Sequence, residues 1–284
     1  MSPQLAAMIA TASDQFSEIG VDTARIDAEL LLGHVLGIER MSLLTYEEKI
    51  PSDILTQYSE MVSRRVCGEP VAYITGVQAF WDDDFIVSKH TLIPRQDTEA
   101  LVESVLKQAP KEGRILDIGT GSGCILLSLL RERPMMTGVG LDISPEALNI
   151  AKMNAEGLGL ADRAAFIQSN WFDALMPSKE KFSVIVSNPP YIPTSDIEGL
   201  MSSVRDFEPM MALDGGGDGL TPYRLITKNA LSYLIDDGLL AVEVGILQAN
   251  DVADMFDAVG LTEVKIIKDL PGVERVVCGK KLKN

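Results

Sequence analysis

Positive charge is what this chain lacks most. Against 41 Asp and Glu stand only 25 Lys and Arg, a formal net charge of −16. A protein that grips nucleic-acid phosphates presents a basic face and gains affinity through counterion release, so any such face here must be local. An acidic surface instead favours a basic protein partner or a small ligand. Cysteine is scarce as well: Cys67, Cys124 and Cys278 are odd in number and widely spaced, which indicates neither a disulfide framework nor a zinc site. They fit a reducing cytosol. Histidine is limited to His34 and His90, which read as ordinary surface or packing residues. No basic segment leads into an apolar one at the amino terminus, and no run approaches the length that spans a bilayer. A cytoplasmic protein without membrane contact is expected. What remains is ordinary for a soluble globular protein: 284 residues, 46% hydrophobic and 23% charged, enough for a sizeable core in two domains or one large one.

Residues 1–75 read as a small helical bundle. Leu5, Met8, Ile9, Ala12, Phe16 and Ile19 recur at helical spacing, and Ile26, Leu30, Leu31, Val35 and Leu36 repeat the pattern beyond Gly20. Pro51-Ser52-Asp53 can open a third helix with Leu55, Tyr58, Met61 and Val62 as its apolar stripe. The pattern then changes, and residues 76–93 are expected to form a β-hairpin linker. Between Glu69 and Ile93 lie short β-like runs, Val71–Thr75 and Phe85–Ser88, separated by Gly76 and the acidic Asp82-Asp83-Asp84. In Pro94-Arg95-Gln96-Asp97-Thr98-Glu99, Asp97 or Thr98 can cap the following helix, and Arg95 with Glu99 can form a surface ion pair or equally shape the floor of a neighbouring pocket.

From Arg114 onward short apolar strands alternate with helices, so residues 94–284 are expected to form a doubly wound, mostly parallel α/β sheet. The last two runs, Val264–Ile267 and Arg275–Cys278, are linked by a short Pro271-Gly272 connection. That is too short for a helical crossover and predicts an antiparallel terminal hairpin.

The strand Ile115–Ile118 runs into Gly119-Thr120-Gly121-Ser122-Gly123 and a helix. Glycines there let the backbone lie against a ligand at a helix amino terminus. A dinucleotide fold is the rival reading, but the spacing is Gly-x-Gly-x-Gly, and Asp117 ahead of the turn would repel a pyrophosphate while attracting an ammonium or a sulfonium. That combination favours S-adenosylmethionine. The next strand ends at Asp142, where an acid can hold both ribose hydroxyls. The third ends in Ser169-Asn170-Trp171, with Asn170 suited to the adenine edge and Trp171 to its face.

The apolar run Phe182–Val186 suits a buried parallel strand and delivers Asn188-Pro189-Pro190-Tyr191 to the carboxyl edge of the sheet, where open α/β folds hold ligands. The prolines stiffen the bend and leave only acceptors. Asn188 adds a side-chain oxygen, and Tyr191 is expected to supply a flat wall. Together they suit a planar group bearing an NH2. The following segment, Ser195–Thr221, rich in glycine at Gly215-Gly216-Gly217, reads as a loop that orders around an acceptor.

With these motifs in this order, the chain resembles the HemK/PrmC family of protein glutamine methyltransferases. The resemblance extends to Glu208-Pro209, Leu213, Asp218-Gly219-Leu220 and Tyr223. It departs at Gln96, where the family has proline, and at Asn170, where aspartate is common. It implies a seven-stranded class I S-adenosylmethionine-dependent methyltransferase fold behind a helical domain that docks the substrate. Class I peptide chain release factors are the implied substrate, methylated on the side-chain amide of the Gly-Gly-Gln glutamine, with S-adenosylhomocysteine as product. By the same resemblance Asp117, Gly119–Gly123, Asp142, Asn170, Trp171 and Asn188 hold the cofactor, and Asn188–Tyr191 hold the acceptor and carry catalysis. A monomer without metal or direct nucleic-acid contact is expected. A ribosomal-protein glutamine methyltransferase, an adenine methyltransferase and a non-catalytic cofactor-binding module remain as alternatives.

Overall fold

The computed structural model describes residues 2–283, in two compact units. The first holds the chain up to Val77 together with Met201–Phe207; the second holds Gln78–Leu200 and the chain from Glu208 onward. No described helix is long and apolar enough to cross a membrane.

The first unit is built from α1 (Pro3–Glu18), α2 (Ala24–Leu36), α3 (Ser52–Val66) and α4 (Val71–Thr75). Ser2 caps α1 by accepting from the Leu5 amide, with Pro3 at the first helical position, where its missing N–H costs nothing. Leu5, Ile9, Ala12 and Phe16 form its buried stripe, as the spacing predicts. In α2 the expected stripe is rotated: Ile26 and Leu30 are exposed, and Ala24, Asp27, Ala28, Leu31 and Leu32 face inward. Four apolar residues, Ala24, Ala28, Leu31 and Leu32, make up that face, and Asp27 is tolerated among them because it is paired. Arg65 of α3 donates from Nε to its Oδ2 at 2.8 Å, while the Thr23 hydroxyl donates to Oδ1 at 2.8 Å. Breaking a buried pair from one side leaves the other charge unpaired. Asp27→Ala is therefore expected to lower stability by about 3 kcal/mol, read as a shift of the denaturant midpoint.

Val71–Thr75, expected as a β-like run, is the helix α4. Pro70 at its start and Gly76 at φ 77° after its end enclose a single turn. Within it the Thr75 hydroxyl bonds back to the Val71 carbonyl at 3.0 Å, so end signals override the weak strand preference of β-branched residues.

A hairpin follows, β1 (Val77–Phe80) and β2 (Asp83–Ile86), which from Gln78 onward belongs to the second unit. Asp83 and Asp84 lie within β2, not between the strands; Arg131 pairs with Asp83 at 2.7 Å, which makes an acid tolerable there. There follow α5 (Glu99–Gln108), β3 (Glu112–Ile118), α6 (Cys124–Glu132), β4 (Met135–Asp142), α7 (Pro145–Gly157), β5 (Ala164–Gln168) and β6 (Phe182–Ser187). After the short α8 (Ser202–Arg205) of the first unit come α9 (Thr221–Tyr233), β7 (Leu234–Glu243), α10 (Ala249–Ala258), β8 (Leu261–Lys268) and β9 (Glu274–Lys281).

The seven strands β3–β9 form one sheet in the order β5-β4-β3-β6-β7-β9-β8. The first five are parallel, and β9 is antiparallel to both β7 and β8. Both faces are covered. Ile115, Val184 and Val186 join one buried cluster, and Leu116, Ile118 and Ile185 join the other, so every residue of β6 is buried. That double coverage explains an unbroken apolar run where a half-exposed strand would alternate. The chain winds outward from β3 in one direction through β4 and β5, then returns to wind the other way through β6 and β7. The crevice at the carboxyl ends of β3 and β6 is the switch point where such sheets hold ligands.

Candidate active site

A cavity of about 500 Å³ opens at that switch point. Its floor is the loop after β3. Gly119, Gly121 and Gly123 take φ of 72°, 55° and 82°, values costly for any side chain. The amides of Gly119 and Thr120 both donate to the Leu141 carbonyl at 2.8 Å, and the Gly121 amide donates to Asp142 Oδ2 at 2.9 Å. Gly119–Ser122 line the cavity. Gly123 lies outside the lining, packed so closely under α7 that an added Cβ would sit 3.3 Å from Ala151.

Asp142 lines the cavity at the end of β4, its second oxygen accepting from the Ser144 amide at 2.9 Å. Each carboxylate oxygen keeps a further lone pair for a ligand hydroxyl. Burial raises its pKa despite those amide bonds. Asn170 and Trp171 line the wall beyond it. Trp171 holds a left-handed backbone at φ 53°, and its ring is packed against the second core cluster. Ile143, the exposed apolar residue after Asp142, adds to the same lining.

Asp117 is fully buried and does not line the cavity, which corrects the expectation that it meets a ligand's ammonium or sulfonium directly. Its Oδ2 accepts from the Thr120 hydroxyl at 2.6 Å. Burial pushes its pKa up to about 7. The carboxylate braces the loop from below.

Of the Asn-Pro-Pro-Tyr bend, Asn188 and Pro190 line the cavity; Pro189 is buried and Tyr191 faces elsewhere. The Asn188 Nδ2 donates to the Thr98 hydroxyl at 3.2 Å, which leaves Oδ1 as the amide's remaining acceptor. Tyr191 is corrected from a stacking wall to an anchor. Its ring packs on the second core cluster, its carbonyl accepts from Gln248 Nε2 at 2.9 Å, and burial pushes its pKa up to about 12. The chain beyond it carries turns at Thr194–Gly199 and Met210–Ala212 besides α8, and Ile192 bridges Asp214. The segment expected as one loop is thus short ordered turns, with Met210 and Met211 exposed in the cavity lining.

Three further placements depart from the sequence expectations. Thr98 caps no helix: its backbone is already helical and its hydroxyl makes no capping bond. Asp97 instead takes Arg275 at 2.6 Å. Arg95 pairs with the buried Glu208, whose other oxygen accepts from the Ile93 amide at 3.2 Å, while Glu99 accepts from the Trp81 amide at 3.0 Å. His90, distant in sequence from the motifs, lines the cavity. Sequence reading missed Glu243, whose signal was a lone acid closing the apolar run of β7; only 2% of it is exposed. Among the described residues no cluster suits a metal ion.

Comparisons with known proteins agree with this architecture. A family described as "PrmC N-terminal domain" matches residues 7–76, and one described as "Methyltransferase domain" matches residues 109–243. The release factor glutamine methyltransferase of Rhodospirillum rubrum is 45% identical over 264 residues, covering 92% of this chain and 80% of the relative. That of Geobacter sulfurreducens is 43% identical, covering 93% and 92%. A methyltransferase crystal structure from Pyrococcus furiosus superposes with a TM-score of 0.54 at 17% identity, over 79% of this chain and 99% of that one, a likeness of fold alone. At this identity and coverage the chain belongs to the release factor glutamine methyltransferase family, whose cofactor is S-adenosylmethionine.

Proposed function

We propose that the chain methylates the side-chain amide nitrogen of the glutamine in the Gly-Gly-Gln motif of class I peptide chain release factors, in the cytoplasm, with its helical unit docking the factor. The single observation that carries the chemistry is Asn188. It lines the cavity with its NH2 committed to Thr98 and its oxygen left to accept.

Bound S-adenosylmethionine supplies an electrophilic methyl group on a sulfonium. The residues present fit it: a glycine cradle, an acid at the end of β4 for the ribose hydroxyls, and apolar walls at Leu141, Ile143 and Trp171 for the adenine. Asp142 and the Gly119–Ser122 backbone would hold the polar part, and Asn170 would meet the adenine edge.

An amide nitrogen is a weak nucleophile because its lone pair is delocalised into the carbonyl. Asn188 Oδ1 would accept one amide hydrogen from the cavity wall, and the family resemblance assigns the other to the Pro189 carbonyl; the pair would fix the plane of the acceptor amide. The rigid Pro189-Pro190 bend, pinned through Tyr191 to Gln248, holds both acceptors fixed, so alignment does most of the catalysis. Methylation would make the nitrogen acidic, so that its proton would pass to solvent, with S-adenosylhomocysteine as the departing product. No strong base is required, in keeping with an acceptor-only clamp.

The test is transfer of labelled methyl to a purified release factor, beside the same factor with its Gly-Gly-Gln glutamine replaced, a ribosomal protein and DNA. Label on the intact factor alone is expected. Label on DNA would instead assign an adenine amine as acceptor.

A further inference from the structure

Glu243 is a buried ionisable group that the chemistry above leaves unused. It closes β7 at the carboxyl edge of the sheet, is 2% exposed, and its Oε2 has no hydrogen-bond partner. An unpartnered carboxylate oxygen in the interior is costly, so its retention calls for a reason. The Thr98 hydroxyl lies close enough to Glu243 to lower its pKa, and the same hydroxyl receives Asn188 Nδ2 at 3.2 Å.

We propose that Glu243 and Thr98 are positioning residues that fix which way the Asn188 amide faces. An Asn side chain is nearly symmetric in shape, and rotation by half a turn exchanges its donor for its acceptor. Only one orientation can receive the acceptor's amide hydrogens. A hydroxyl next to Asn188 does not choose by itself, because it can give or accept. Glu243 removes that freedom: an ionised carboxylate only accepts, so it takes the Thr98 hydrogen and leaves Thr98 with lone pairs alone for Asn188. The NH2 is then held inward and Oδ1 is left for the substrate. Thr98 can serve this way because its hydroxyl is not spent on α5, although it stands at the start of that helix.

The groups around Glu243 set where it titrates. Burial is the largest influence and pushes its pKa up to about 7; the Thr98 hydroxyl, Arg275 on β9 and Arg95 pull it down, and Asp97 pushes it up. Tyr191, Tyr223 of α9 and Cys124 at the start of α6 also feel its charge. Arg275 is held beside two acids, Asp97 at 2.6 Å and Asp269 at 3.2 Å, so it does not neutralise Glu243 outright. The orienting form is the ionised one, so kcat should fall as pH drops below about 7.

The inference rests on the reading of Asn188 as acceptor clamp, and the experiment separates the two. Methyl transfer to the release factor is measured for the full-length parent, Asn188→Ala, Thr98→Val, Thr98→Ser and Glu243→Gln, with kcat, KM and S-adenosylhomocysteine affinity determined for each. Thr98→Val is expected to lower kcat on the order of tenfold with cofactor affinity within about twofold, since only alignment is lost. Thr98→Ser, which keeps the hydroxyl, should restore kcat. Glu243→Gln should lower kcat and abolish its acid limb. Asp117, also raised to about 7, would leave that limb in place. An inactive Asn188→Ala beside a fully active Thr98→Val, or an unchanged acid limb in Glu243→Gln, overturns the positioning role. An active Asn188→Ala overturns the clamp itself.

Discussion

Asn188→Ala should abolish methyl transfer while leaving the cofactor bound. Truncation removes the side-chain acceptor from the cavity and leaves Pro189, Pro190 and the anchored Tyr191 in place. Fixed dipoles aimed at a reacting group commonly contribute a factor of about 10²–10³ to kcat each, or roughly 3–4 kcal/mol. Here the same atom also orients the nucleophile, so the loss should reach at least that range. S-adenosylhomocysteine affinity by calorimetry is expected to stay within about threefold of the parent, because the glycine loop and Asp142 are untouched. A variant with a kcat near that of the parent would remove Asn188 from the chemistry. One that failed to bind cofactor would make it a cofactor residue instead.

The opposite separation is expected of Asp142→Ala. Both carboxylate oxygens hold backbone amides, Gly121 at the cradle and Ser144 at the start of α7, each at 2.9 Å. Removing them orphans two amides at the loop that shapes the floor and takes away the charged acceptor for the ligand's hydroxyls. Hydrogen bonds to charged groups contribute about 1.5–3 kcal/mol each, so cofactor affinity should weaken on the order of 100-fold. Asp142→Asn should recover little, since it sets an NH2 where an acceptor faces a backbone N–H. Equal affinity in Asp142→Ala and the parent would show that the cradle holds the ligand without this acid. At saturating cofactor, kcat should return toward the parent value, in contrast to Asn188→Ala, which no cofactor concentration rescues.

Those two outcomes would divide the cavity into a half that binds and a half that aligns. Two acidic side chains in the second unit share a feature that neither variant tests: Asp117 and Glu243 are fully buried at the carboxyl ends of β3 and β7, and burial pushes both up to about 7. Each carries one oxygen without a partner, and a neighbouring threonine hydroxyl lowers the pKa of each: Thr120, bonded to Asp117 at 2.6 Å, and Thr98 beside Glu243. The first stiffens the cofactor loop, and the second is inferred to set the Asn188 amide.

The elements whose conformation is decided within a few residues were legible in the chain. The glycine loop needs left-handed backbone at Gly119, Gly121 and Gly123, which little else adopts. The double proline can make only a bend, and an apolar run covered on both sides can sit only in the middle of a parallel sheet. Composition and short connections were enough to predict the winding and the terminal hairpin. What the chain could not disclose were partners chosen across distance. Thr98 meets Asn188 across 90 positions and Arg275 reaches Asp97 across 178, so a residue that reads locally as a helix cap became part of the site. Ile26 and Leu30 matched a helical stripe, yet they face solvent, because the buried face is the one on which Arg65 can pair with Asp27 among Ala24, Ala28, Leu31 and Leu32. Tyr191 read as a wall and serves as an anchor because Gln248 and the core lie on its side of the bend. Backbone preference is a property of the local sequence. Which of two chemically able faces is buried, and which hydrogen bond a versatile side chain makes, depend on neighbours that only the folded sheet brings together.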